Sequence, residues 1–191
     1  MAAAKRRPDG VGRALLVGAL ALLAGVFPLR AQEAEAADRL EWSVSTGYGF
    51  PVHVNRGNSN EHVVLILPSY AIRLSERVEY YLEGHVGLYT SPAGYMLGFM
   101  PLDIRVYLLN GDTRPYVSAG AGVGWTNLTQ LIEIDSRFNF LLQGALGIRG
   151  RLHDGQSWSF EARLNHVSNG GTALPNLGLN TVVFLFGWRF R

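Results

Sequence analysis

The sequence contains no cysteine and few charged residues. The absence of cysteine from its 191 residues excludes a disulfide framework, a thiolate nucleophile and a cysteine-ligated metal site. Charged residues make up only 17% of the chain, whereas they make up about a quarter of an average soluble domain. Four of the five histidines, His53, His62, His85 and His153, are scattered without ligand spacing, so no metal site is expected.

The start of the chain has the composition of a secretory signal peptide. A basic beginning is followed by an apolar run over residues 14–29, with small residues at Ala31 and Ala36. This order predicts a signal peptide over residues 1–31, with cleavage after residue 36 as the alternative, and a single domain over residues 32–191. A permanent transmembrane helix would need about 20 apolar residues.

The basic character of the sequence lies largely in this leader. Residues 1–31 hold five basic residues and one acidic residue, so the remaining chain keeps 12 basic and 14 acidic residues, a net charge near −2. No basic surface for nucleic acid is therefore expected.

The rest of the chain is predicted to be all-β. Apolar or alternating segments of about ten residues are separated by turn-forming residues, and no helical period lies between them. The predicted strands cover residues 40–50, 62–74, 77–89, 95–109, 114–126, 136–150, 157–168 and 180–190. Eight strands of this length predict a small closed antiparallel barrel.

Alternation along the last two strands indicates which face meets lipid. Trp158, Phe160 and Leu164 share one face of the seventh predicted strand, and Glu161 and Arg163 share the other. A soluble barrel, the alternative, would bury the large apolar set inside. The charged opposite face favours a transmembrane barrel of the outer membrane, with its apolar side outward.

Three further expectations follow from the transmembrane interpretation. Glu79 and Glu83 are expected to form ion pairs in the lumen with Arg73, Arg77 and Arg105. The loop over residues 126–136 is a candidate for covering a site at the rim. Aromatic residues near strand ends are expected in interfacial girdles, namely Trp42, Tyr48, Tyr89, Tyr95, Trp125 and Trp158.

A potential base and a potential nucleophile lie two residues apart near the end of the seventh strand. His166 and Ser168 share one face of a strand, so the imidazole can take the hydroxyl proton. Asn180 begins the corresponding face of the eighth strand. All three are expected on the exterior at one rim, where polar groups are costly unless they have a function. The substrate is therefore expected to be a membrane lipid.

The stretch His166-Val167-Ser168-Asn169-Gly170-Gly171, followed by Pro175-Asn176-Leu177-Gly178, resembles the lipid A 3-O-deacylase (PagL-type) family of eight-stranded outer-membrane barrels. The resemblance implies a serine hydrolase that releases an ester-linked acyl chain from lipid A of lipopolysaccharide, without a metal or cofactor. It implies Ser168 as nucleophile and His166 as general base. It also implies that Asn176 or Asn169, with the backbone N–H of Gly171, stabilises the oxyanion.

Asn180 departs from this family, whose well-known members carry Glu at that position. An Asn can still orient a His through its carbonyl oxygen. Outer-membrane phospholipase A also combines His-x-Ser-Asn-Gly with a later Asn, although in a larger, calcium-dependent barrel. A phospholipase-like acyl hydrolase and a non-catalytic barrel are therefore the alternatives, and the sequence leaves open whether the chain forms a homodimer. An esterase requires Ser168 Oγ within about 3.2 Å of a His166 nitrogen, with Asn180 near the other nitrogen.

Overall fold

The computed structural model describes residues 40–52, 60–131, 134–152, 155–174 and 176–190. Within them lie eight strands: β1 (Leu40–Pro51), β2 (Val63–Arg73), β3 (Val78–Thr90), β4 (Ala93–Tyr107), β5 (Thr113–Thr126), β6 (Phe138–Arg151), β7 (Ser157–Ser168) and β8 (Leu179–Phe190). Each predicted strand is confirmed, with ends that differ by no more than two residues. The predicted signal peptide and its cleavage site lie outside the described residues and stay predictions.

The strands form a closed barrel in which each pairs with its neighbours in sequence and β1 pairs with β8. All of these pairs are antiparallel. Closure matters in a bilayer because backbone N–H and C=O groups find no water in the hydrocarbon region and must bond to one another. In the part of the chain that the structure describes, no helix is long and apolar enough to cross a membrane.

The two ends of the barrel differ in the length of their connections. At the end where β1 starts and β8 stops, residues 74–77, 108–112 and 152–156 make short connections. At the opposite end, β1–β2, β5–β6 and β7–β8 are joined by 11, 11 and 10 residues, and only β3–β4 is joined by a tight turn. Outer-membrane barrels have short periplasmic turns and longer extracellular loops. The end that carries the β7–β8 connection is therefore the extracellular end.

The predicted orientation of the strand faces is confirmed. Along β7 and β8, even-numbered residues such as Leu164 and Phe184 are about half exposed on the outside. Odd-numbered residues such as Arg163 and Leu185 lie in the lumen at 1% exposure. The barrel thus presents an apolar surface to lipid and keeps its charged side chains inside.

The periplasmic half of the lumen is filled by paired charges. Arg163 donates to Glu161 at 2.6 Å and to both carboxylate oxygens of Glu83 at 2.6 and 3.2 Å. Glu79 accepts from Arg189 at 2.7 Å and from Arg149 at 3.0 Å. Charges that are buried in this way must be paired and hydrogen-bonded to be tolerated.

The expected luminal ion pairs are confirmed only in part. Glu79, Glu83 and Arg105 lie inside, but Arg105 pairs with Glu161 at 3.0 Å. Arg73 is half exposed and pairs with Glu41, and Arg77 is exposed. The basic partners of Glu79 and Glu83 come instead from β6, β7 and β8, strands distant in sequence that closure of the barrel brings opposite β3.

The extracellular half of the lumen is apolar, and the β5–β6 connection enters it. Leu128 and Ile134 are fully buried and Leu131 nearly so, in one cluster with residues of the strands such as Leu67 and Leu185. We call Leu128, Leu131 and Ile134 the luminal cap. The expectation that residues 126–136 cover a site at the rim stays a prediction. These three side chains are packed in the lumen, where burial removes their apolar surface from water.

One strand departs from simple alternation, and one aromatic residue differs from its predicted position. The pairing of β4 shifts by one residue between Phe99 and Leu102, so Met100 and Asp103 both face the lumen. Such a bulge reverses which residues face inward. Tyr89, expected in an outer girdle, is wrongly assigned: it lies in the luminal cluster at 6% exposure, on the same face of β3 as Glu79.

Replacing the most buried luminal arginine is expected to destabilise the barrel strongly. Arg163→Met leaves Glu83 in the lumen without its guanidinium partner, which should lower the free energy of unfolding by about 3–5 kcal/mol. The control is Arg73→Met, which removes an ion pair on a side chain that is 46% exposed and should cost about 0–1 kcal/mol. Urea unfolding of the refolded barrel measures both values. Equal losses in the two variants would contradict this account of the lumen.

Candidate active site

The candidate site lies at the extracellular ends of β7 and β8, on the face directed to the membrane. β7 ends at Ser168 and β8 begins at Leu179. In their antiparallel register His166 lies opposite Asn180. Opposed side chains on one face of such a pair have Cβ atoms about 4.5–5.5 Å apart. The register of the hairpin therefore brings His166 and Asn180, which are 14 residues apart in the sequence, into direct contact.

His166 and Asn180 form the best-defined polar contact of the site. Nδ1 of His166 lies 2.8 Å from Oδ1 of Asn180. An amide oxygen only accepts, so this contact requires the proton on Nδ1 and leaves Nε2 of the neutral ring as an acceptor. Both side chains are partly exposed at the outer surface, as their even positions predict. The backbone beside them is also fixed, because Val52 N–H donates to the Asn180 carbonyl at 2.8 Å.

Gly178 makes room for the imidazole ring. A Cβ atom at this position would lie 2.4 Å from Cε1 of His166, well inside van der Waals contact. Its backbone φ of +73° also falls in the left-handed region that favours glycine. The ring is thus held between the backbone of Gly178 on one side and the amide of Asn180 on another.

The β7–β8 connection is organised by the side chain of Asn169. Its Oδ1 accepts from Gly171 N–H at 2.8 Å, and its Nδ2 donates to the carbonyls of Ile134 and Ala173 at 2.7 and 3.1 Å. Its backbone N–H donates to Oδ1 of Asn176 at 3.2 Å. The oxyanion roles predicted for Asn169, Gly171 and Asn176 stay predictions. In this arrangement Asn169 Nδ2 and Gly171 N–H already have partners within the protein.

Ser168 lies at the end of β7, partly exposed and on the same face as His166. No hydrogen bond joins Ser168 Oγ to His166 in the described part of the chain, so the contact required for proton transfer stays a prediction. Catalytic hydrogen bonds are often long before substrate binds and shorten in the complex. The structure thus brings together His166 with Asn180, and Asn169 with Gly171 and Asn176.

Apolar and aromatic side chains border the site on the membrane face. Phe140 of β6 lies opposite Ser168, and Leu142 lies opposite His166. The ring of Phe140 also approaches Gly170, where a Cβ atom would be 2.8 Å from it. Phe138 packs edge-on against Phe140 with ring centroids 5.6 Å apart. A substrate that reaches Ser168 from the side therefore passes over apolar surface.

Two parts of this site were not predicted from the sequence. One is the contact of Gly178 with the imidazole, which depends on the fold of the connection. The other is the link from Asn169 to the luminal cap. Apolar residues spaced by three at Leu128, Leu131 and Ile134, between two strands, were the available signal for an inward turn. The described residues contain no group of three His, Cys, Asp or Glu side chains that is placed to hold a metal ion.

A family model described as lipid A 3-O-deacylase (PagL) matches residues 38–189. The chain belongs to this family. The PagL family match places it among the outer-membrane enzymes that deacylate lipid A, and so among hydrolases that act on a membrane lipid. It gives no support to a homodimer. No curated protein matches the chain.

One solved structure shows a similar fold, and two others are more distant. A crystal structure of the outer membrane enzyme PagL is 18% identical and superposes with a TM-score of 0.58, covering 77% of this chain and 97% of that one. The N-terminal β-barrel domain of OprF from Pseudomonas aeruginosa is 15% identical, with a TM-score of 0.46 and coverage of 78% and 97%. A de novo designed transmembrane β-barrel is 14% identical, with a TM-score of 0.44 and coverage of 78% and 95%.

Filling the space beside His166 is expected to lower the deacylase activity of this PagL-family chain. Gly178→Ala adds a methyl group where the imidazole lies and should reduce kcat by about 10²-fold, the effect of a displacement of roughly 1 Å in an active site. Gly111→Ala is the control: its φ of +128° also lies in the region that favours glycine, a Cβ atom there meets nothing within 4 Å, and it lies at the other end of the barrel. Mass spectrometry of lipid A follows acyl release by both variants. If Gly111→Ala loses as much activity as Gly178→Ala, the clash with the ring is not the cause.

Proposed function

We propose that Ser168, His166 and Asn180 form the catalytic group of a serine esterase that removes an ester-linked acyl chain from lipid A. The observation that carries this proposal is the 2.8 Å contact between His166 Nδ1 and Asn180 Oδ1 on the lipid-facing surface. It gives the imidazole the tautomer and the orientation that a general base needs. The alternation of β7 puts Ser168 on the same face, beside that base.

The proposed reaction has two steps, acylation of Ser168 and hydrolysis of the acyl-serine. Ser168 Oγ attacks the ester carbonyl carbon while its proton passes to His166 Nε2. The tetrahedral intermediate expels the sugar alkoxide, which takes the proton from the imidazolium and leaves an acyl-serine. Water then attacks the acyl-serine, again losing its proton to His166, and the fatty acid departs as Ser168 regains its hydrogen. Asn180 orients the ring throughout, and its carbonyl dipole favours the imidazolium.

The amide of Asn176 is the oxyanion donor that the loop geometry supports best. Its Oδ1 is held by Asn169 N–H, which directs Nδ2 to the other side of the group. No described residue accepts a hydrogen bond from this Nδ2. One preorganised donor of this kind is worth about 10²–10³ in kcat.

The position of the site favours a substrate that never leaves the membrane. The catalytic side chains lie outside the barrel, at its extracellular end, next to Phe140 and Leu142. A polar group on this surface is costly unless it has a function. A lipid in the outer leaflet can bring its ester bond to Ser168 by lateral diffusion, with its acyl chains still against the apolar face of the barrel.

Replacing the nucleophile tests the activity directly. Outer membranes that contain the native chain should yield lipid A lacking one hydroxyacyl group, and membranes with Ser168→Ala should not. Mass spectrometry of lipid A and of phospholipids from the same membranes is the measurement. Lysophospholipid in place of deacylated lipid A would show the phospholipase alternative. No Ser168-dependent change in either lipid pool, with the barrel folded, would show a non-catalytic barrel.

Changing Asn180 tests the role of its carbonyl oxygen. Asn180→Leu keeps the approximate volume but removes the acceptor for Nδ1–H, so kcat should fall by about 10²–10⁴, as when a triad His takes the wrong tautomer. Asn180→Asp keeps an acceptor and adds a charge that stabilises the imidazolium, so its kcat should equal or exceed the native value. Steady-state deacylation in detergent micelles measures both variants. Loss of activity in Asn180→Asp equal to that in Asn180→Leu would contradict an orienting role.

A further inference from the structure

The side chain of Asn169 is enclosed in the protein although it follows Ser168 directly. It is 0% exposed, and its three side-chain hydrogen bonds have donor–acceptor distances of 2.7, 2.8 and 3.1 Å. These partners fix the orientation of the amide, since Gly171 N–H can bond only to its oxygen and the carbonyls of Ile134 and Ala173 only to its nitrogen. Such a side chain cannot turn to a substrate without breaking bonds in a buried place, which costs about 1–3 kcal/mol for each group left unpaired.

The 2.7 Å hydrogen bond from Asn169 Nδ2 to the Ile134 carbonyl links the β7–β8 connection to the luminal cap. The cap is itself well anchored. Leu131 N–H donates to the Leu128 carbonyl at 3.1 Å, and Leu128 N–H donates to Thr126 Oγ1 at 3.1 Å. Thr126 Oγ1 in turn donates to the Tyr95 carbonyl of β4 at 2.6 Å. The side chains of the cap are packed in the lumen, so the cap supports the β7–β8 connection from inside the barrel, while His166, Ser168 and Asn180 lie on the outside.

The backbone of Asn169 carries the same support to the candidate oxyanion donor. Its N–H holds Oδ1 of Asn176 at 3.2 Å and so directs Nδ2 of that amide. Its carbonyl accepts from Oγ1 of Thr172 at 2.8 Å, which closes the turn after Ser168. Hydrogen bonds therefore connect Ile134 to Asn169 and Asn169 to Asn176. Ser168 is covalently bonded to Asn169, the residue in the middle of this series.

We propose that Asn169 is a positioning residue of the deacylation reaction: it holds Ser168 and the amide of Asn176 in place by anchoring them to the luminal cap. This inference rests on the proposed function, because it assigns a role within the same site. It gives Asn169 a role different from that of a direct oxyanion donor. It also gives the apolar lumen a part in catalysis, through a side chain that the substrate never touches.

The test is a double-mutant cycle between Asn169 and the cap. Asn169→Asp keeps the acceptor for Gly171 N–H but turns a carboxylate oxygen toward the two carbonyls, so kcat should fall by about 10²-fold while KM changes much less. Ile134→Ala loosens the cap and should lower kcat by about 10-fold through the same path. The double variant should be no slower than Asn169→Asp alone, because Asn169→Asp already removes the contact through which the cap acts on the site. Tyr116→Phe is the control: Tyr116 is equally buried in the lumen, but it lies in the periplasmic half, outside the cluster that contains the cap, and the variant should keep the native kcat.

Several outcomes would overturn the proposal. An unchanged kcat in Asn169→Asp would do so, as would losses that multiply in the double variant, since Asn169 would then act on the reaction independently of the cap. Folding of each variant is checked by the mobility difference between unheated and heated samples in gel electrophoresis. If Asn169→Asp does not fold, Asn169→Ser, whose hydroxyl does not reach the Ile134 carbonyl, takes its place with the same expectation. Failure of the proposed function is distinct: Ser168→Ala would then release acyl chain as fast as the native protein.

Discussion

Backbone pairing around a closed barrel is the constraint on which the rest of this structure depends. In the hydrocarbon region every N–H and C=O must find a partner within the protein, and the pairing of β1 with β8 provides the last of them. The pairing of β7 with β8 belongs to the same closed sheet, and its register sets His166 opposite Asn180 on the outer face. A slip of β8 by one residue against β7 would turn Asn180 into the lumen while His166 stayed outside. The geometry of the site is thus a result of barrel closure.

Much of the fold, and the shared face of His166, Ser168 and Asn180, were predictable from the sequence because both follow from the alternation of side chains along a strand. Alternation gave the strand bounds, the outward face of β7 and β8, and the shared face of His166, Ser168 and Asn180. The same parity would have placed Tyr89 inside, since it lies on the face of β3 that carries Glu79. In a regular strand, the odd or even position of a residue was sufficient to predict whether its side chain faces the lumen or the lipid.

The remaining features depend on contacts that have no period. The bulge in β4 adds one residue, which sequence alternation alone does not reveal, and it leaves both Met100 and Asp103 inward. The cap enters the lumen because the barrel has apolar space there, and this space exists only once distant strands have met. One partner of Asn169 is Ile134, which lies 35 residues earlier in another connection. Such contacts are set by tertiary structure and are not encoded in local spacing.

The pairing of His166 with an amide also determines how the resting site meets the bilayer. A carboxylate at position 180 would place a fixed negative charge on the lipid-facing surface, and charge is expensive at membrane depth. The amide of Asn180 adds no such charge and holds Nδ1 of His166 at 2.8 Å. Position 180 therefore needs no counter-ion among the acyl chains. In the proposed reaction, charge separation arises only when a proton has moved to the ring and the oxyanion faces it across the substrate.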